Sequence, residues 1–226
     1  ALELYFTFNF VSAPFTIYSS IRKLPPGCYL TMDYKGHNIV QYWDITNVNS
    51  SSLSTIEEAI QALRSLLEDA VRIRLFSDVP LGAFLSGGID SSIIVAIMSK
   101  LSPKRIKTYS IGFSEDSFFD ETYYARALAD MYNTDHHEIR LQRMDLYNAI
   151  EDTVSFFDEP FGDPSALPTN VISRETRRHV KVALSGDGGD ELFGGYRRYL
   201  GLLYHDLYTG IPLKIREHIL NPLINI

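Results

Sequence analysis

The spacing of hydrophobic positions changes near residue 54. From Ser54 to about Leu75, apolar residues recur every three or four positions, which predicts a helix with one apolar stripe. Ser54 and Glu57 have the spacing of a capping box, so the helix is expected to begin there. The residues of the stripe are Ile56, Ile60, Leu63, Leu67 and Val71.

Beyond this helix, short apolar runs alternate with amphipathic segments. Val79 to Leu85 is an almost uninterrupted apolar run, as expected of a strand buried on both faces. The alternation predicts an α/β fold, a parallel sheet with helices on both faces. Further strands are predicted at Ile106 to Phe113, His136 to Leu141 and Val180 to Leu184, and helices at Asp90 to Lys100, Asp120 to Met131, Met144 to Phe157 and Thr169 to Arg178.

The residues before position 50 follow a different pattern and predict a small β-rich, loop-rich segment. Tyr5 to Val11 is an aromatic-rich apolar run, and Leu24 to Gly27 is a turn sequence. Cys28 to Met32 and Ile39 to Trp43 are predicted as two strands joined across Asp33 to Gly36.

A polar stretch, Asn47 to Ser54, separates these two patterns and has the composition of a linker. We therefore expect two domains, the first covering residues 1–50 and the second residues 51–226.

Composition narrows the classes of function. With 45% hydrophobic residues among 226, the chain is expected to be globular. The net charge of −7 argues against a nucleic-acid partner, because phosphate backbones bind clusters of Lys and Arg. No apolar run approaches the ~18 residues of a membrane span, so no membrane partner is expected. The single cysteine, Cys28, permits no internal disulfide, and we expect a cytoplasmic protein.

The segment SGGIDSS, Ser86 to Ser92, joins the strand ending at Leu85 to the next predicted helix. Gly87 and Gly88 let the backbone approach a ligand closely, and the helix N-terminus offers free amides. These features favour a phosphate. The alternative is an ordinary turn in which Asp90 caps the helix. The Walker A lysine and the dinucleotide fingerprint are both absent, so this is another kind of phosphate loop.

A second loop, SGDGGDE from Ser185 to Glu191, follows the strand predicted at Val180 to Leu184. Its carboxylates are the ligand type that Mg²⁺ prefers, whereas its spacing does not fit the EF-hand pattern. The alternative is a solvated or calcium-type acidic loop. Ligands of parallel sheets bind beyond the carboxyl ends of the strands, so the two loops together predict a nucleotide with its metal.

These segments resemble the motifs of one enzyme family. SGGIDSS resembles the pyrophosphate loop, or PP-loop, of ATP pyrophosphatases. Together with Asp158 to Ser165 (DEPFGDPS) and Ser185 to Tyr196 (SGDGGDELFGGY), it makes the chain similar to glutamine-hydrolysing asparagine synthetases. Arg22 to Gly27 (RKLPPG) resembles the end of their glutaminase domain. The resemblance implies a Rossmann-like fold of the adenine nucleotide α hydrolase type.

The resemblance also implies ATP and Mg²⁺ as cofactors. Asp90 and Asp190 would hold the metal, and Asp187 and Asp190 would be catalytic. Asp187 stands where many members carry Glu, so its carboxylate has a shorter reach. The phosphates would bind Ser86, Gly87, Gly88, Asp90, Ser91 and Ser92. The adenosine would contact Phe84, Leu85, Ile111, Ser185 and Gly186.

The reaction implied by the resemblance is the activation of aspartate as β-aspartyl-AMP, followed by amidation with ammonia to asparagine. In the full-length enzyme the ammonia would come from glutamine, and the resemblance allows a homodimer. Residues 1–50 would then be the end of a glutaminase-like domain, and 51–226 the first part of the synthetase domain. The chain begins with Ala1 where the family has its nucleophilic cysteine, so we expect no glutamine hydrolysis and little or no activity from this chain alone.

Other functions are compatible with the same motifs. A related amidotransferase acting on another carboxylate, such as a sugar acid, would share the ATP and metal residues. A non-catalytic nucleotide-binding remnant would also keep them. A tRNA-modifying PP-loop enzyme is disfavoured by the net charge of −7.

Overall fold

A computed structural model describes residues 1–47, 53–114 and 120–220. The first elements are helix α1 Leu2–Phe8, strands β1 Cys28–Asp33 and β2 Gly36–Gln41, and a 3-10 turn Ile45–Asn47. Helices and strands then alternate: α2 Ile56–Leu75, β3 Leu81–Phe84, α3 Ile89–Leu101, β4 Lys107–Phe113, α4 Thr122–Met131, β5 Asp135–Leu141, α5 Arg143–Phe156, α6 Ala166–Thr176 and β6 Val182–Leu184. After β6 come helices α7 Gly189–Phe193, α8 Arg197–Thr209 and α9 Leu213–Ile215, and a π-helical turn Arg216–Leu220.

A four-stranded parallel sheet in the order β5-β4-β3-β6 organises the chain after α2. The predicted parallel α/β fold is confirmed. The chain moves outward from β3 through β4 to β5 and then returns to the other side of β3 as β6. The carboxyl ends of β3 and β6 therefore form a topological switch point, the place where open α/β sheets bind their ligands.

The helices cover both faces of this sheet. The register pairs Ala83 with Thr108, so these two residues face the same side. Ala83 and Leu85 pack against α2, α3 and α4, whereas Ile111 on the opposite face packs against α5 and α6. The buried residues of the first core are Val71, Ala83, Leu85, Val95, Met98, Ile106, Ala125 and Ala129, and those of the second are Leu141, Ala149 and Val171.

A buried polar network lies on the face of the sheet that carries α3 and α4. The His136 ring nitrogens lie 2.9 Å from Thr108 Oγ1 and 3.2 Å from Ser110 Oγ. Thr108 Oγ1 also lies 2.8 Å from Thr134 Oγ1. Burial lowers the pKa of His136, because a charged imidazole would lose its hydration there.

Helix α2 begins later than the capping-box pattern predicts. Thr55, not Ser54, is the N-cap, and its Oγ1 accepts a hydrogen bond from the Glu58 amide at 3.2 Å. The Glu58 carboxylate in turn accepts from the Ser54 amide at 2.9 Å. Val71 of the predicted stripe is buried, but Ile56 is 74% exposed. Of the predicted stripe, Val71 at its C-terminal end joins the core beside the sheet.

The segment before residue 48 contains a hairpin and a helix. Strands β1 and β2 form the predicted hairpin, but β2 begins at Gly36 and ends at Gln41, so Tyr42 and Trp43 lie outside it. The first residues of the aromatic run, from Tyr5 to Phe8, belong to helix α1 and are not extended. The helix ends at Asn9, which adopts φ 63° and whose amide donates to the Tyr5 carbonyl at 2.7 Å. Residues 48–52 of the predicted linker lie outside the described residues.

Two contacts attach this segment to the loop between α5 and α6. The Gly162 amide donates to the Asn9 carbonyl at 2.8 Å. The Lys23 ammonium contacts the Glu159 carboxylate and the Val11 carbonyl. Val11, whose carbonyl takes part in the second contact, is only 1% exposed.

The hydrophobic pattern predicted no helix after the last strand, whereas the described residues up to 220 form α7, α8, α9 and a π-helical turn there. The short α7 begins inside the acidic loop and ends two residues beyond it. Among the described residues, none of the helices has the length and apolar character needed to cross a bilayer.

Candidate functional site

The turn between β3 and α3 is shaped by its own serine side chains. Ser86 Oγ lies 3.0 Å from Ser91 Oγ and accepts from the Gly88 amide at 3.2 Å. The Ser91 and Ser92 hydroxyls both donate to the Gly88 carbonyl, at 3.1 and 2.5 Å. These bonds hold the turn at the N-terminus of α3, where the first backbone amides of a helix have no intrahelical acceptor. Such an end attracts anions.

Gly87 is required by two features of this turn. Its φ is +91°, which L side chains rarely adopt. A Cβ atom on Gly87 would lie 2.7 Å from Tyr124 Cβ and 2.9 Å from the Ala125 nitrogen. The phosphate-type loop therefore packs directly on the first turn of α4.

The acidic loop after β6 folds into the single turn of α7. The Ser185 hydroxyl donates to Asp187 Oδ2 at 2.8 Å. Gly188 and Gly194 both have positive φ, 93° and 69°, and bound the turn at its two ends. The Gly195 amide donates to the Asp190 carbonyl at 3.0 Å, which closes the loop behind α7.

The two loops pack against each other at the switch point. A Cβ on Gly186 would lie 2.6 Å from the Ser91 nitrogen, and one on Gly189 would lie 2.4 Å from Asp90 Cγ. The acidic loop therefore rests on the start of α3, with the Asp90 carboxylate against Gly189. Asp190 follows Gly189 directly, so Asp90 is adjacent to the acidic loop although it is distant in the sequence.

The residues that follow α7 form a hydrogen-bonded aromatic group. The Tyr196 hydroxyl donates to Glu191 Oε1 at 2.6 Å. This bond raises the pKa of Tyr196 to about 12 and lowers the pKa of Glu191. The Arg198 guanidinium lies 4.7 Å from the centre of the Tyr196 ring. Glu191 is thus held by Tyr196 on the outer side of the acidic loop.

The donors at the switch point fit a hard cation. Asp90 and Asp190 are half-buried, and Asp187 is exposed. Within residues 1–47, 53–114 and 120–220, no three His, Cys, Asp or Glu side chains are grouped closely enough to hold a metal by themselves. Mg²⁺ usually takes one or two carboxylates and completes its shell with water and substrate phosphates. The Asp90 carboxylate, within the phosphate-type loop, is compatible with that ligand set, whereas the Asp190 carboxylate lies against Gly195 just beyond α7.

The residues expected to contact the adenosine differ in burial and in the face of the sheet on which they lie. Leu85 is fully buried with the α2–α4 core, and its amide donates to the Tyr109 carbonyl at 2.8 Å. Ile111 packs on the opposite face with the α5–α6 core. Phe84 and Ser185 are half-buried at the ends of β3 and β6. The side chains of Leu85 and Ile111 therefore serve the two cores.

Arg140, which contacts the start of α4, was not singled out by the sequence, although its partners Asp120 and Glu138 lie in segments that resemble the family. Asp120 and Thr122 at the start of α4 bind Arg140 of β5, and Arg140 also binds Glu138. The signal available was the spacing of Glu138 and Arg140, which puts two opposite charges on one face of a strand.

Comparison with known proteins shows the family of the chain. The family model described as asparagine synthase matches residues 62–223. The chain belongs to this family. The putative asparagine synthetase (glutamine-hydrolyzing) 2 of Methanocaldococcus jannaschii is 38% identical over 217 residues, covering 96% of this chain and 42% of that relative. Asparagine synthetase (glutamine-hydrolyzing) 1 of Bacillus subtilis is 34% identical over 222 residues, covering 98% of this chain and 34% of that relative.

The chain thus spans less than half the length of these curated relatives. Among solved structures, it is similar to the glutamine-dependent NAD⁺ synthetase of Acinetobacter baumannii in complex with ADP. The TM-score is 0.42 at 20% identity, with 75% of this chain and 31% of that chain covered.

Proposed function

We propose that the switch point binds ATP with Mg²⁺, and that the complete enzyme uses it to make asparagine. The observation that carries this proposal is the packing of Gly186 and Gly189 on the start of α3, which brings Asp90 beside the acidic loop. The phosphate-type loop Ser86 to Ser92 would hold the β- and γ-phosphates. Phe84, Ser185 and Gly186, with the backbone of Leu85 and Ile111, would contact the adenosine.

Asp90 and Asp190 are proposed to hold Mg²⁺. A bound Mg²⁺ would offset negative charge that develops on the phosphates. Asp187 is proposed to act beside Asp190 in the acidic loop, oriented by its 2.8 Å hydrogen bond from Ser185.

The proposed reaction needs no side-chain nucleophile. A carboxylate oxygen of aspartate attacks the α-phosphorus of ATP and displaces pyrophosphate, giving β-aspartyl-AMP. Ammonia then attacks the activated carbonyl, AMP leaves, and asparagine forms with loss of a proton. The amides of the phosphate-type loop and of the α3 N-terminus stabilise the charge on the departing pyrophosphate.

We propose that residues 1–50 close a glutaminase-like domain and that residues 51–226 form the first part of the synthetase domain. The support is the name of the curated relatives, which describes glutamine hydrolysis, and their greater length. Ammonia would reach the activated aspartate from that other domain, and a homodimer is compatible with this arrangement. Contacts through Lys23 and Gly162 would join the two domains.

The metal assignment is tested by comparing Asp90→Asn with Asp69→Asn in this chain. Asp69 is an exposed residue of α2 whose carboxylate pairs with Arg72, so Asp69→Asn removes the same charge away from the site. We expect Asp90→Asn to weaken ATP binding at least about tenfold in Mg²⁺. Both variants should bind alike in EDTA. Unchanged Mg²⁺-dependent affinity in Asp90→Asn contradicts the assignment.

The acceptor is tested by exchange of labelled pyrophosphate into ATP, measured with the full-length protein. Exchange that requires aspartate supports asparagine synthesis. Exchange that requires a sugar acid or another carboxylate instead identifies a related amidotransferase. ATP binding without exchange for any carboxylate identifies a nucleotide-binding remnant.

A further inference from the structure

A network of charged side chains connects the edge strand β5 with the start of α4. Arg140 Nη1 donates to Asp120 Oδ2 at 2.5 Å, and Arg140 Nη2 donates to Thr122 Oγ1 at 2.9 Å. Arg140 Nε donates to the Glu138 carboxylate, which also binds Arg126 of α4. One guanidinium thus contacts three side chains at once, which its planar fork of donors allows.

The carboxylates of this network are shielded from water. The Asp120 side chain is 19% exposed and that of Glu138 is 14% exposed. A hydrogen bond from Thr122, reinforced by Arg140, lowers the pKa of Asp120. Shielded carboxylates of this kind need a cation, because burial of an unpaired charge is costly. Arg140 supplies that cation to both.

The same network fixes where α4 begins. Asp120 Oδ1 accepts from the Thr122 amide at 3.1 Å and from its hydroxyl at 2.7 Å. The turn that follows contains Tyr124 and Ala125, and these are the residues against which Gly87 packs. Contacts therefore run without a gap from Arg140 through Asp120 and the first turn of α4 to the phosphate-type loop.

Room for the network is left by β4. A Cβ on Gly112 would lie 2.7 Å from Thr122 Cγ2 and 3.1 Å from Arg140 Nη1. A larger residue at this position would press on Thr122 first and would also crowd the guanidinium.

We propose that Arg140 is a positioning residue for the phosphate-type loop. It does not touch the loop itself. By holding Asp120 and Thr122, it sets the place of the α4 surface on which Gly87 rests, and thereby the direction of the loop amides. The structural part of this inference stands without a ligand, and its consequence for ATP rests on the proposed function.

The test compares Arg140→Met with Arg105→Met by hydrogen exchange of this chain without nucleotide. Arg105 is a matched control, because it binds the Asn133 and Thr134 carbonyls beyond the opposite end of α4. We expect exchange in the peptide Ser86 to Ser92 to be at least about tenfold faster in Arg140→Met, because one lost charged hydrogen bond already corresponds to about that factor and this variant loses three bonds. Arg105→Met should leave this peptide unchanged.

A conservative variant keeps the test decisive if Arg140→Met does not fold. Arg140→Lys retains the charge but offers no fork, so it cannot hold Asp120, Thr122 and Glu138 together. We expect Arg140→Lys to unfold near the wild-type temperature while the loop peptide still exchanges faster. Loop exchange at the wild-type rate in both Arg140 variants, or in the one that folds, overturns the inference.

A nucleotide measurement separates this inference from the proposed function. If both stand, the Kd for ATP with Mg²⁺ rises in Arg140→Met and Arg140→Lys and stays unchanged in Arg105→Met. Absence of ATP binding by wild-type protein refutes the proposed function, and the exchange result still decides the role of Arg140. Wild-type ATP affinity in a variant with faster loop exchange refutes the link between loop order and nucleotide binding.

Discussion

Gly186 is the position where the contact between the two loops can be tested most directly. A Cβ there would lie 2.6 Å from the Ser91 nitrogen and 2.8 Å from the Asp90 carbonyl carbon, whereas ordinary contacts begin at 3.4 Å. Both atoms belong to the backbone of α3 and cannot rotate away. In Gly186→Ala the acidic loop and the helix must therefore separate by about 0.8 Å.

The expected cost follows from this overlap. Extra methyl groups in tightly packed sites destabilise by about 1–3 kcal/mol. For a chain of this size that corresponds to a fall in Tm of roughly 2–12 °C. A displacement of this size between Asp90 and the acidic loop should also weaken ATP binding with Mg²⁺, because a shift of about 1 Å is enough to disturb a site strongly.

The measurement is thermal unfolding together with ATP titration, with Gly201→Ala as the control. Gly201 lies inside α8 and has no atom within 4 Å of a Cβ. Alanine is favoured over glycine inside helices by about 1 kcal/mol, so Gly201→Ala should keep or raise Tm. If Gly186→Ala unfolds at the wild-type temperature and binds ATP as wild type does, the packing of the acidic loop on α3 is wrong.

Three further outcomes are expected from individual contacts. Because the pKa of Tyr196 is raised to about 12, the Glu191 hydrogen bond stabilises the fold fully below pH 10, and this stabilisation is lost as pH rises through 12. Spectrophotometric titration should show the Tyr196 phenol ionising at lower pH in Glu191→Gln than in wild type. The pKa of His136 is lowered, so the folded state disfavours protonation of this residue, and Tm should fall as pH drops below 6.5. If Tm stays level over this range in His136→Gln but falls in wild type, His136 causes the loss of stability. The same fall of Tm in both proteins contradicts this explanation. Thr55→Ala removes the N-cap of α2 and should lower the unfolding free energy by about 1 kcal/mol in urea titration, with no change in ATP affinity.

The order of elements followed from hydrophobic spacing because burial imposes different periods on helices and strands. The first residue of a helix was harder to predict where two neighbouring residues are both suitable N-caps. Ser54 and Thr55 are both good caps, and each has an acidic residue three positions later, so the pattern alone could not choose between them. The structure selects Thr55 with Glu58.

The candidate site was predictable in its loops but not in its contacts. Glycines and carboxylates at strand ends pointed to the loops after β3 and β6. The order of the strands across the sheet decides that Gly186 packs on Ser91 and that the Leu85 side chain is buried in the core. Arg140 was missed for the same reason, since its partners at the start of α4 are far from it in sequence. A tertiary contact between charged residues leaves little trace in local spacing.

The strand order also has a consequence for synthesis on the ribosome. Leu81 of β3 pairs with Val182 of β6, about 100 residues later, so this edge of β3 stays unpaired while the intervening segment is translated. At about 5–20 residues per second the delay lasts roughly 5–20 s. During that interval the nascent chain carries half of its proposed ATP site and an open strand edge, the kind of surface on which chains associate wrongly. Arrival of β6 closes the edge and brings the acidic loop, at Gly189, against Asp90 in one step.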